Sequence, residues 1–302
     1  MSDFIQHTIN GISLGAIYAL IALGYTLVFG ILQFINFAHS EIFMLGSYAG
    51  FYLARYLGIG AEQKQGMGWF LLILFGSMLA TAVVGFFVEK LAYRPLRKAP
   101  RINVLITAVG VSLLFQFGGQ MLFGPNPRPF PALVDLSASY HIGEVQVEPI
   151  QIVVCVVALA LMLALEFVLF RTKVGKAMRA VSHDHNVALL LGVNVNFIIS
   201  LTFVIGSALA GAGGVLFGLA YPKIEPLMGT IPGIKSFVAA VLGGIGNVRG
   251  AVVGSLIMGL SEQYIVVYGL PTLRDAVAYG FLIGILLLRP KGLFGKTLAE
   301  KV

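Results

Sequence analysis

Charge is what this sequence lacks most. Its 302 residues carry 20 Lys and Arg and 13 Asp and Glu, only 11% of the chain. A soluble domain places roughly a quarter of its residues in those four types, so these charges are too few to cover a water-exposed surface. Hydrophobic residues make up 58% of the chain, and mean hydropathy is +0.92. Residues 4–40 contain no Asp, Glu, Lys or Arg, and no basic residue precedes Arg55. That run is too long for the apolar core of a cleaved signal and lacks its basic start. It reads as a retained helix continuing into a second element. Cysteine is nearly missing as well: Cys155 is alone, which excludes an internal disulfide and a cysteine-based metal site. At about 20 apolar residues per crossing plus loops, the length holds roughly eight to ten crossings and no separate soluble domain.

The uncharged runs predict an all-α, polytopic transmembrane bundle of about eight to nine spans. They fall at about 9–32, 36–57, 68–93, 103–123, 149–170, 194–221, 250–268 and 273–288. A further piece, 236–248, gives about 20 Å at 1.5 Å per residue and falls short of a membrane core of about 30 Å. It is expected to be a broken or re-entrant element. Lys223 to Lys235, rich in Pro and Gly, reads as a connection.

The net charge of +7 is not spread over one face, as a nucleic-acid interface would require. Thirteen of the 20 basic residues sit in three short stretches: Lys90 to Arg101, Arg171 to Arg179, and Arg289 to Lys301. This is the pattern of the positive-inside rule, and it places those three stretches in the cytoplasm and 124–149 outside.

Glycine is abundant, with 37 residues. Small residues at four-residue spacing let helices approach closely in lipid. The run Gly206 to Gly218, including Gly211, Gly214 and Gly218, and the cluster Gly243, Gly244 and Gly246 exceed that general use. Hinges or unwound backbone beside a water-filled path are expected there. Residues 4–40 and 185–222 are both charge-free and each is followed by an acid, Glu41 and Glu225. Such an echo is the mark of a duplicated transporter.

Three chemical motifs fail in context. Gly11-Ile12-Ser13-Leu14-Gly15 matches a nucleophile elbow but lies in an apolar helix. Gly292 to Thr297 mimics the end of a phosphate loop, with the first glycine misplaced. His183-Asp184-His185 has no further ligands to complete a metal site. No catalytic constellation, cofactor site or metal site is expected.

Two stretches survive. Asn36, His39, Ser40 and Glu41 interrupt an apolar region, and Asn36, His39 and Ser40 fall on one face if helical. Ionisable groups at membrane depth usually face a cavity, so Asn36, His39 and Glu41 are candidates for a translocation path, against a turn at the membrane surface. Glu89, Glu166 and Glu262 lie at helix ends and are expected at interfaces. The second stretch, Arg171 to about Val193, is too long for a turn. Ser182 or Asp184 can cap a short helix closed by Gly192, suited to inserting into a groove on another subunit.

The chain resembles the membrane permease subunits of branched-chain amino acid ABC transporters, the LivH-type half. The likeness is carried by Asn10 to Leu20, Ile35-Asn36-Phe37-Ala38-His39, Ala92-Tyr93-Arg94-Pro95-Leu96-Arg97, Gly175 to Gly192, Leu201 to Gly218, Ala239 to Gly246 and Arg289 to Gly295. Ser40 departs from it, standing where the family usually has Gly. The resemblance implies one permease domain over 1–302 and a multi-pass protein of the bacterial inner membrane. Its implied partners are two cytoplasmic ATPases, a second homologous permease and a periplasmic binding protein that delivers leucine, isoleucine or valine. It makes Lys176, Arg179, Ser182, Asp184, Ala188 and Gly192 the element coupled to the ATPases. Urea, short amides and other amino acids are alternative cargoes within the family. A stand-alone secondary transporter is the rival of another class.

Overall fold

The computed structural model describes residues 2–59, 66–97, 99–134, 140–142 and 145–295. Thr297 and Lys301, named above, lie outside them. Among the described residues the chain forms eleven α-helices and one two-stranded hairpin. The helices are α1 (Ser2–Leu32), α2 (His39–Tyr56), α3 (Met67–Val88), α4 (Arg101–Phe123), α5 (Pro149–Arg171), α6 (Lys173–His183), α7 (His185–Leu190), α8 (Val195–Ala220), α9 (Thr230–Gly243), α10 (Val248–Val267) and α11 (Arg274–Leu288). Strands β1 (Tyr140–Ile142) and β2 (Val145–Val147) pair antiparallel. Seven helices are long and apolar enough to cross a membrane: α1, α3, α4, α5, α8, α10 and α11. The protein is a multi-pass membrane protein.

Burial sorts these helices into a centre and a rim. The most apolar window of α1 is 89% buried and that of α8 72%, against 17% for α4 and 11% for α11. Glycine explains how α1 and α8 reach the centre. A Cβ at Gly11 or Gly15 would lie 2.9 Å from the α10 backbone, and one at Gly46 2.5 Å from Gly211 Cα. Through Gly206 to Gly218, α8 stays helical throughout, which corrects the expectation of unwound backbone there. Backbone contact, with Gly214 against the Phe43 carbonyl and Gly218 against the Phe130 ring, satisfies the packing without a break. The other glycine cluster does break the helix. Gly244 and Gly246 take φ of +105° and +93°, a region open to glycine, and end α9.

The basic stretches meet at one end. There Ser182 Oγ donates to the Gly30 carbonyl at 2.5 Å near the end of α1, and Arg97 Nη1 donates to Asn196 at the start of α8 at 2.6 Å. At the opposite end the Gln146 amide donates to Gln6 (2.9 Å) and Gln151 to Asn10 (2.7 Å). The start of α1 therefore lies at the end away from the basic loops, and α1 and α8 run antiparallel.

Two short helices depart from simple crossings. Gln33, at φ +57°, stops α1, and α2 begins only at His39 rather than at Asn36. The chain turns back so that His39 meets Gly24 of α1. Similarly, α9 starts at Thr230 and ends at Gly243, earlier at both ends than the uncharged piece 236–248 suggested. Pro232 sits in its first turn, where amides have no helical partner anyway, so a Pro-Gly stretch is compatible with a helix start.

Candidate functional site

The polar patch near residue 40 is fully internal. Asn36, in the turn between α1 and α2, and His39, Ser40 and Glu41, in the first turn of α2, are each less than a tenth exposed. Their side chains do not converge on one face, because Asn36 precedes α2. Asn36 Oδ1 accepts from Tyr93 Oη at 2.6 Å. The His39 ring stands edge-on to Tyr25, with centroids 4.9 Å apart. Glu41 turns instead toward α4 and α9. Its Oε1 accepts from Gln116 Nε2 (2.8 Å), Ser40 Oγ (3.2 Å) and Ser112 Oγ (3.4 Å). Gln116 Nε2 also lies 3.4 Å from Thr230 Oγ1.

Depth follows from Gln116. It stands about two-thirds of the way along α4, which at 1.5 Å per residue is about 22 Å from its basic end. Glu41 is thus a carboxylate inside the membrane span. Around it the first turns of α2 and α9 come together: Gly229 packs on the Ser40 carbonyl and Gly233 on the Ser40 side chain. Neither helix has a side-chain cap. Ser40, the departure from the family pattern, bonds the Phe37 carbonyl (2.9 Å) as well as Glu41.

A second buried cluster escaped sequence reasoning. Lys235 Nζ pairs with Glu262 and lies 2.7 Å from Asp275, while Tyr18 Oη donates to Glu262 Oε2 at 2.9 Å. These groups tie α1, α9, α10 and α11 toward the end away from the basic loops. Glu262 and Glu89 are completely buried within the protein; Glu166 is partly exposed and pairs with Arg249. Glu89 pairs with Arg97 and accepts from Ser200 Oγ at 2.5 Å. Burial lowers the Arg97 pKa, against the opposing effect of Glu89. The signal for Lys235 was present as a lone cation among apolar residues, but its place in a Pro-Gly stretch hid the helix that buries it.

At the basic end, 171–193 is two helices rather than one. Thr172 caps α6, its side chain accepting from the Gly175 amide at 3.1 Å. Met178 and Val181 face inward, whereas Lys176 is exposed. Arg179 donates to the Leu169 carbonyl at the end of α5, and Ser182 holds α1. Asp184 caps α7, accepting from the amides of Asn186 (2.8 Å) and Val187 (3.0 Å). The Val193 amide returns to the Ala188 carbonyl at 3.0 Å, and Gly192 at φ +80° closes the turn as a Schellman motif. Ala188 faces inward, while Leu189, Leu190 and Leu191 are 64%, 86% and 74% exposed. A soluble-facing loop that presents three leucines is an unpartnered surface.

A cavity of about 310 Å³ opens among Asn10, Ser13, Gln151, Tyr221 and Gln263, at the end away from the basic loops. Among the described residues no three His, Cys, Asp or Glu side chains group in a way that could hold a metal ion.

Comparison with known proteins agrees with this architecture. No solved structure matches the chain. The chain is 40% identical to the high-affinity branched-chain amino acid transport system permease protein BraD of Pseudomonas aeruginosa, over 99% of this chain and 98% of that protein. It is 38% identical to the permease protein LivH of Escherichia coli K12, with the same coverage. Over 96% of this chain and 70% of the relative it is 25% identical to the E. coli K12 permease protein LivM. The family model described as branched-chain amino acid transport system, permease component, matches residues 7–287. With nearly the whole bundle matched, the chain belongs to the family of branched-chain amino acid transport system permease components.

Proposed function

We propose that this chain is one of two membrane subunits of an ATP-driven importer in the bacterial inner membrane. It forms a single permease domain over 1–302 and carries leucine, isoleucine and valine received from a periplasmic binding protein. The full-length likeness to BraD and LivH carries the cargo reading, and LivM, itself a permease protein, supports pairing with a second, related permease. In this reading the basic end is cytoplasmic. The 18-residue α2 and the 14-residue α9, added to the seven long ones, complete nine membrane elements.

Coupling to two cytoplasmic ATPases runs through α6 and α7. Lys176 and the leucines after Ala188 form the surface the ATPase receives. Arg179, Ser182, Asp184, Ala188 and Gly192 hold that surface rigidly to α1 and α5, so a push on α7 is delivered to the central helices. The glycine contacts at Gly211, Gly214 and Gly218 and the break at Gly243, Gly244 and Gly246 are the places where helices slide or bend as access alternates. Asn36, His39 and Glu41 belong to the path at its midpoint.

The exposed leucines supply the test. Purified from cells that co-express the ATPases, the wild-type chain retains them. Leu190→Asp abolishes that retention without lowering the yield of folded permease. Retention by the aspartate variant overturns the coupling assignment.

A further inference from the structure

The Glu41 carboxylate is only half satisfied. Oε1 takes three donors, while Oε2 is buried with no hydrogen-bond partner. Among the described residues no Lys or Arg pairs with Glu41, and the cation of α9, Lys235, is held by Glu262 and Asp275. A buried charge without a counter-ion is costly and is normally completed by a ligand or partner.

What surrounds Oε2 is the start of a helix. It lies against Gly229, the residue before α9, where a Cβ would stand 3.1 Å from it. The Ile231 amide belongs to an uncapped first turn, where helix N–H groups and the macrodipole favour an anion. One small region therefore offers an unpaired carboxylate oxygen beside the Ile231 amide, since in this turn the Thr230 amide bonds the Leu227 carbonyl, the Gly233 amide bonds the Gly229 carbonyl and Pro232 has no N–H. A zwitterion bearing an ammonium and a carboxylate on one carbon satisfies both at once. A neutral amide or a sugar satisfies neither charge.

We propose that Glu41 receives the α-ammonium group of the transported amino acid, while the Ile231 amide at the start of α9 receives its carboxylate. This rests on the reading of the chain as an amino-acid permease and adds a binding site inside the permease to the selection made by the binding protein. Ser112 and Gln116 are positioning residues that hold Oε1 and leave Oε2 toward the ligand.

The test uses the complete nucleotide-free transporter in nanodiscs, without the binding protein, and measures binding of radiolabelled leucine. Wild type is expected to bind saturably, with 2-hydroxy-4-methylpentanoate, which lacks the ammonium, competing weaker by a factor on the order of ten or more. Glu41→Gln, which keeps the Gln116 contact through its carbonyl, is expected to lose that discrimination and to bind leucine weaker by a similar factor, with hydroxy-acid binding unchanged. Unchanged leucine affinity in E41Q overturns the proposal. Equal competition by the hydroxy acid in wild type overturns it too, as does the absence of saturable leucine binding. Should E41Q not assemble, the wild-type selectivity decides alone. ATP-driven leucine uptake by the same preparation, with its binding protein, separates the two readings: its absence contradicts the amino-acid permease itself, whereas uptake without ammonium selectivity contradicts only the role of Glu41.

Discussion

At the residue scale, buried polar groups either tie helices together or keep an atom without a partner, as Glu41 Oε2 and His39 Nε2 do. Lys235 and Glu262 are a tie, 5% and 0% exposed. Removing one partner of such a pair leaves an unpaired buried charge, a loss of about 3–5 kcal/mol, whereas replacing both by apolar residues of similar volume is far milder. Glu262→Met leaves Lys235 with only the exposed Asp275 carboxylate as partner and is expected to lower the thermal midpoint of the detergent-solubilised protein. Lys235→Met with Glu262→Met should recover most of it. Additive loss in the double variant would show that the pair is not a self-contained unit. The bond from Tyr93 to Asn36 is a smaller tie. Tyr93→Phe leaves Asn36 Oδ1 without its donor and should cost about 1–3 kcal/mol, measured by the same melt.

At the element scale, glycine decides which helices touch. Gly214 faces the Phe43 carbonyl and Ser47, whereas Gly118 of α4 has open space around its missing side chain. Gly214→Ala forces α2 and α8 apart and is expected to cut the yield of monodisperse protein severely. Gly118→Ala should be neutral or stabilise by up to about 1 kcal/mol through helix propensity, and size-exclusion profiles distinguish the two. Equal yields would contradict the packing described. The long helices were legible in the sequence, because uncharged runs bounded by Pro, Gly and basic residues mark spans directly. The starts of α2 and α9 were not. Where α2 begins depends on Gln33 adopting a left-handed conformation, and where α9 begins depends on Pro232 falling in a first turn; composition specifies neither. The polar character of residues 36–41 was visible, but which neighbour each side chain meets is a matter of tertiary packing.

On the scale of the whole molecule, the two charge-free runs acquire a common form. Each gives a long buried helix, α1 or α8, followed by a return segment and a shorter helix, α2 or α9. Because α1 and α8 are antiparallel, the two units run in opposite directions, and α2 and α9 start beside each other at Glu41. An inverted repeat has this layout, and the proposed binding region is where α2 and α9 meet. Scarcity of charge takes on a definite meaning in such a molecule: the few ionisable groups inside are ties between helices or belong to the path. In the proposed reading the energy source lies outside the bundle, reached through the leucines of α7. The most direct test reconstitutes this chain with its second permease, both ATPases and the binding protein in proteoliposomes and follows leucine. The account predicts accumulation that requires ATP hydrolysis and vanishes when this chain is omitted. Leucine uptake driven by an ion gradient with the ATPases left out would contradict it.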